Sequence, residues 1–279
     1  MNLPPVPTNA QILASWNFAP SIWLGFAILV GGYALAVGPL RLRNTWGPPV
    51  SKRRQVAFYL GALAGWLALA SPLDFLSDNY LLSAHMVQHM TLILITPPLC
   101  LAGLPDWLVD RALSARFLRS IAYQVTRPLP AFVVFNGLFL VWHLPGLYDA
   151  ALADEGVHIL EHLCFLLAAF IGWWPVLSQS RRSAPPASQP VQMLYMFFNM
   201  FPTTALAAII TFSTNPPYPF YSTVQRLWGL TVQADQQLAG LIMWIPGTMI
   251  FFIFLSLIFV RWFNAQSAED ESAPKESVK

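Results

Sequence analysis

Charge is what this sequence has least of: Asp, Glu, Lys and Arg make up 10% of its 279 residues, while 56% are hydrophobic. An ordinary soluble domain carries roughly a quarter charged residues, and so apolar a chain folded in water would expose large sticky patches. Lipid is therefore the expected solvent, which leaves only helices or a closed barrel to satisfy the backbone. Cysteine is nearly absent too, with only Cys100 and Cys164, so no disulfide framework is expected. The first twenty residues hold no Lys or Arg and no short apolar core ahead of a cleavage site, so no cleavable signal peptide is expected. The formal net charge of +2 is unremarkable, and no nucleic-acid partner is expected.

What is present is a series of apolar runs of helical length, each needing about 20 residues to cross a hydrocarbon core about 30 Å thick. Seven can be read, at residues 21–40, 56–70, 81–103, 129–144, 157–177, 191–212 and 238–263, the second and fourth being short. The expected fold is all-α: a polytopic membrane protein, a bundle of seven transmembrane helices. Residues 1–20 read as an N-terminal segment, 21–263 as a single membrane domain without a convincing internal repeat, and 264–279 as a polar, disordered tail.

Every lysine and arginine except Arg226 falls in alternate connections: Arg41, Arg43, Lys52, Arg53 and Arg54; Arg111, Arg116, Arg119 and Arg127; Arg181 and Arg182; Arg261, Lys275 and Lys279. The positive-inside rule then places the N-terminus outside and the C-terminus in the cytoplasm. Residues 105–127 interleave apolar and charged residues, which reads either as a surface helix in the headgroup region or as an ordinary solvated loop. Residues 178–190, rich in Ser, Pro and Ala, read as a flexible linker. On the outer side, residues 213–232 carry Pro216, Pro217, Pro219, Tyr218, Tyr221 and Trp228 and suggest a structured loop that caps whatever lies beneath it.

Beneath it lie the histidines. His85 and His89 open the third run, His158 and His162 open the fifth, and His143 closes the fourth, so all five gather at one membrane face. The spacing i, i+4 stacks two side chains on one helix face about 5–6 Å apart, close enough for two imidazoles to share an ion at about 2.0–2.1 Å. An isolated pair could equally be a hydrogen-bonded core pair, but ionisable residues in membrane segments are rare and mark functional sites. A transition-metal site is the expectation. Imidazole suits zinc, copper and iron alike; Met86 and Met90 beside the first pair, and Met243 in the last run, favour copper as Cu(I), although methionine more often packs a core. Cys100 and Cys164 read as small buried apolar residues, with soft ligation as the alternative. Met193, Met196, Met200 and Met249 form no ladder of ligands across the membrane and more simply pack.

Gln88, Glu155, Glu161, Asp235, Gln236 and Gln237 fall at the same level, where a carboxylate either accepts an imidazole N–H or itself ligates. Asp235, heading the last run, is the acidic candidate retained for the site. The loop acids Asp74, Asp78, Asp149 and Asp154 read as solvated. The segment from His158 to His162 also matches an inverted zincin pattern with Glu161, but Glu161 is turned about 80° from the mean direction of the two histidines. Zinc and haem remain as alternatives.

The ordered set of Ser71-Pro72-Leu73-Asp74, His85-Met86-Val87-Gln88-His89, Trp142-His143-Leu144-Pro145 with Tyr148, His158 and His162, the stretch from Asp235 to Gly240, and Met243-Trp244-Ile245-Pro246-Gly247 resembles the multi-span CtaG family of cytochrome c oxidase assembly factors, of caa3 type. No single motif is specific; the ordered set is. The resemblance implies a protein of the bacterial inner membrane, needed to form an active haem-copper oxidase by helping copper reach it. It implies oxidase subunits or periplasmic copper chaperones as partners, beside the lipid bilayer, and a non-enzymatic assembly factor or metallochaperone. The competing reading is an intramembrane metalloenzyme, such as a zinc hydrolase of the alkaline ceramidase kind.

Overall fold

The computed structural model describes residues 6–180 and 182–272, and every regular element among them is helical. The principal helices are α1 (Pro20–Asn44), α2 (Lys52–Ala70), α3 (Pro72–Asn79), α4 (Leu82–Gly103), α5 (Pro128–Trp142), α6 (Pro145–Ala153), α7 (Glu155–Leu177), α8 (Gln189–Phe212) and α9 (Val232–Ser272). Of these, α1, α4, α7, α8 and α9 are long and apolar enough to cross a membrane unaided. Two further spans are bent pairs: α2 with α3, broken by 46°, and Arg116–Val125 with α5, broken by 74°. Counting each pair once gives seven, which fits a polytopic membrane protein.

Proline places the breaks. Pro72, Pro128 and Pro145 each stand at the first position of a helix, where the missing N–H costs nothing and the fixed φ is already helical. Ser71 reinforces the first break, its hydroxyl accepting from the Leu73 N–H at 3.3 Å. The second span starts earlier than its apolar run, at Lys52, because Ser51 caps it by accepting from the Arg54 N–H.

The bundle is built around α4, of which 72% is buried against 11% of α1 at the periphery. Midway along, α4 carries a π-helical turn, Thr91–Ile95. Pro97 lacks the N–H that would bond the Ile93 carbonyl four residues back, and that carbonyl instead accepts the Trp173 indole N–H of α7 at 2.8 Å. The same proline that interrupts α4 therefore ties it to α7. Elsewhere Asn136 of α5 donates to Asn199 of α8 at 2.9 Å. Gly240 brings α9 close to α8, since a Cβ there would stand 2.9 Å from the Ala207 carbonyl oxygen.

Two sequence expectations change and one alternative is selected. The connection from Ser178 is no free linker: Ser180 Oγ donates to Asp110 at 2.6 Å, Ser178 Oγ to the Ala184 carbonyl at 2.7 Å, and the Ala187 N–H to the Pro175 carbonyl at 2.8 Å. Small hydroxylic residues bend the chain and also satisfy its backbone. Residues 105–127 form two short helices, Asp106–Ala112 and Arg116–Val125, the second exposing Phe117, Leu118 and Ile121, as an interfacial helix does. Finally, α9 continues past residue 263 to Ser272, so the first part of the tail is helical. Arg181, Lys275, Lys279 and the end of the tail lie outside the described residues.

Candidate metal centre

The first two turns of α4 and of α7 lie side by side, and each presents its histidine pair to the other. Ring centroids stand 4.1 Å apart within the pair His85–His89 and 4.3 Å within His158–His162. Across the helices the separations are 6.0 Å for His85–His158 and 5.5 Å for His89–His162. His143, which ends α5, reaches to within 6.2 Å of His89. All five imidazoles named from the sequence therefore converge. His85, His89, His143 and His162 are buried and His158 is half-buried.

The hydrogen bonds around them fix which nitrogen is free. The Nδ1 of His143 lies 2.7 Å from the Phe139 carbonyl oxygen; a carbonyl only accepts, so Nδ1 carries the proton and Nε2 keeps its lone pair. Tyr221 Oη donates its single hydrogen to the Ser77 carbonyl at 2.7 Å, so at 3.4 Å from His85 Nδ1 it can only accept from that ring. His158 Nδ1 stands 3.5 Å from Asp78 Oδ2. Metal-binding histidines almost always spend one ring nitrogen on such an oxygen partner, which orients the ring and raises its basicity. His85, His143 and His158 follow that pattern, and Nε2 of all five histidines is buried with no hydrogen-bond partner among the described residues; at His89 Nδ1 is equally unpartnered. Buried polar atoms left unpaired are costly, and five of them around one focus could serve as the donor set of a metal ion.

Glu161 belongs to the same focus. It is fully buried, both its oxygens lack a partner among the described residues, and Oε1 lies 4.0 Å from His89 Nε2. Its turn of about 80° away from His158 and His162 is what carries its carboxylate toward the pair on α4. Asp74 and Asp78, read as solvated from the sequence, are drawn in. Asp74 is buried and accepts from Gln88 at 2.8 Å and Asn17 at 2.7 Å, while Asp78 accepts from the Ser77 hydroxyl at 2.9 Å and faces His158. Asp154 caps α7 through the Val157 N–H.

The loop 213–232 closes the centre from above. Tyr218 donates to the His143 carbonyl at 3.1 Å and stacks on Tyr148 at 3.9 Å, and Tyr148 and Tyr221 meet at 3.2 Å. Burial pushes the Tyr221 phenol well above its ordinary range, so it remains a protonated donor. A cavity of about 630 Å³ reaches the site from the side. Its apolar wall comes largely from α1 and α7, and its polar end from Asp74, Asp78, Glu155, His158 and His162.

Met86, Met90 and Met243 are buried members of the main apolar core. Asp235 takes the Leu82 and Ser83 N–H groups at 3.0 Å each, the Ser83 hydroxyl at 2.6 Å and Arg226 at 2.9 Å. It caps the start of α4 and so positions His85 and His89 at one remove. Cys100 is buried, Cys164 half-buried, and both are free thiols. Sequence reasoning read Asp78 as solvated, gave Tyr221 only a place in a capping loop, and weighed Glu161 as a carboxylate at the histidine level without retaining it for the site. The signals for Glu161 were that level and its position between two histidines on one helix.

Comparison with known proteins gives a family. The model of the cytochrome c oxidase caa3 assembly factors, Caa3_CtaG, matches residues 31–265. Among curated relatives, an uncharacterized protein of Mycobacterium bovis is 28% identical over 87% of this chain and 38% of its own length. One of Mycobacterium leprae is 25% identical over 93% of this chain and 41% of its own. The chain thus spans about two-fifths of the length of the curated relatives it matches. No solved structure matches it.

Proposed function

The chain belongs to the Caa3_CtaG family of cytochrome c oxidase caa3 assembly factors, and on that premise we propose that it serves oxidase assembly by holding copper at its histidine centre. The observation that carries this reading is the set of five buried, partnerless Nε2 atoms converging from α4, α5 and α7. The holders are His85, His89, His143, His158 and His162, with Glu161 among them. Tyr221, Asp78 and the Phe139 carbonyl fix the ring tautomers from behind. With Met86, Met90 and Met243 in the apolar core, the reading rests on imidazole rather than thioether donors. Imidazole alone suits copper, zinc and iron; the family's role in a copper-containing oxidase selects copper.

The basic bias supports a centre on the outer side of the bacterial inner membrane, under the loop 213–232. Copper held there would be shielded from water yet close to a surface that an oxidase subunit or a periplasmic copper chaperone can reach. This chain's part is to hold the ion with oriented neutral nitrogens and to keep water out by the stacked tyrosines.

Metal analysis of the full chain purified in mild detergent, together with the double variant His85→Ala/His162→Ala, tests the reading. Copper should copurify with the wild type and be lost from the variant, because one imidazole goes from each pair. Cells carrying the variant should make oxidase polypeptide with little oxidase activity when copper is limiting. Normal activity at limiting copper would remove the assembly role, and a wild type that binds no copper would remove the copper.

A further inference from the structure

We infer that the centre holds two metal ions, bridged by the carboxylate of Glu161. The inference rests on the metal-centre reading above and adds its nuclearity.

The donor atoms do not gather into one compact set. They form two: His85, His89 and Glu161 offer three atoms within 4.8 Å of one another, and His158, His162 and Glu161 offer three more within the same limit. Glu161 is the only residue in both. An ion bound at about 2.0–2.1 Å finds three donors within either group, whereas among the described residues no group drawn from both histidine pairs meets the 4.8 Å limit. Each group has its own pair of imidazoles stacked on its own helix, with ring centroids 4.1 and 4.3 Å apart.

The chemistry of Glu161 matches that division. Its two oxygens are both buried and neither has a partner among the described residues. A buried carboxylate is costly unless cations or donors offset it, and among the described residues no arginine or lysine pairs with Glu161. A carboxylate has two oxygens, which is what bridging two cations needs, and Oε1 lies 4.0 Å from His89 Nε2. Paired metals about 3.5–4 Å apart recur in proteins, and carboxylate-bridged pairs between facing helices of a bundle are one established form. The tautomers agree as well: His85 on one side and His158 on the other each turn Nδ1 to an oxygen, at 3.4 and 3.5 Å, leaving Nε2 for its own ion. His143, with Nε2 free and its ring 6.2 Å from His89, adds a third nitrogen beside the α4 pair. Donors of nitrogen and carboxylate oxygen suit divalent ions, so Cu²⁺ or Zn²⁺ is the class expected.

The full-length protein in mild detergent, loaded with Cu²⁺ and in a parallel sample with Zn²⁺ and then desalted, gives the test. Two ions per chain are expected, with a metal–metal distance of about 3.5–4 Å by X-ray absorption. Glu161→Gln keeps the shape and removes the charge, and should lower the ratio to one or less and abolish the metal–metal signal. One ion per chain, unchanged in Glu161→Gln, would overturn the bridge and leave a mononuclear centre standing. No ion of either kind would overturn the metal centre itself, and two Zn²⁺ without Cu²⁺ would support the bridge while removing copper. Should Glu161→Gln fail to fold, the wild-type ratio and distance alone decide.

Discussion

A neutral imidazole is a ligand only through its unprotonated nitrogen, so what stands behind each ring matters as much as the ring. Tyr221 accepts from His85 because its own hydrogen is committed to the Ser77 carbonyl. Replacing Tyr221 by Phe keeps the ring in its packing and removes that acceptor. Loss of such a partner commonly costs 10 to 100-fold in metal affinity, and a loss of that order is expected in a chelator competition assay. Asp78→Ala should do the same through His158, and affinities equal to wild type in both variants would mean that the free nitrogens are not ligands. The i, i+4 pairs were legible because helical spacing is a property of the sequence alone. The setting of Asp78 was not, and that of Glu161 only in part, because whether a carboxylate meets water or an imidazole depends on which helix faces it. Asp235 shows the converse: it does lie beside the start of α4, but its oxygens serve the backbone there.

Helix ends and interruptions position the site. Leu81, which precedes α4, offers no side-chain cap, and Asp235 supplies one from a helix distant in sequence. Asp235→Ala leaves two backbone N–H groups and the Ser83 hydroxyl without their acceptor. Each unsatisfied buried group costs about 1–3 kcal/mol, so a clear drop in thermal stability in detergent is expected, with weaker metal binding because His85 and His89 ride on the frayed turn. Trp173→Phe probes the other tie, removing the 2.8 Å bond to the Ile93 carbonyl. It should cost about 1–3 kcal/mol and leave metal stoichiometry intact, because the bond lies at the level of the π-helical turn, below the histidines. Stability unchanged in Trp173→Phe would show that another donor satisfies the carbonyl freed by Pro97. Proline and length made the helix breaks readable, whereas the long-range partners of a freed carbonyl or an uncapped turn have no local signature.

The whole molecule is polarised along its axis. At the end of the bundle opposite the histidines, Arg54 donates to the Leu104 carbonyl and to Gln179, Arg41 to the Gly47 carbonyl, and Arg111 lies 4.2 Å over the Trp46 ring. The histidines begin α4 and α7 while these arginines sit where the same helices end, on the order of 30 Å away for a helix of 22 residues at about 1.5 Å each. The one basic residue at the histidine end, Arg226, does not act as a free charge. It pairs with Asp235 at 2.9 Å and donates to the carbonyls of Leu230, Tyr80 and Tyr221 at 3.0–3.2 Å. Orientation follows the Lys and Arg bias of short connections, which one exception against fourteen leaves intact, so the expected topology is N-terminus outside, histidines outward and arginine end in the cytoplasm. Reporter fusions after Arg54 and within residues 178–190 should give cytoplasmic signals, and fusions within residues 213–232 a periplasmic one. Reversal of these signals would put the centre on the cytoplasmic face, where a periplasmic copper chaperone could not reach it, and delivery of copper from outside would fail even if the metal centre itself were real.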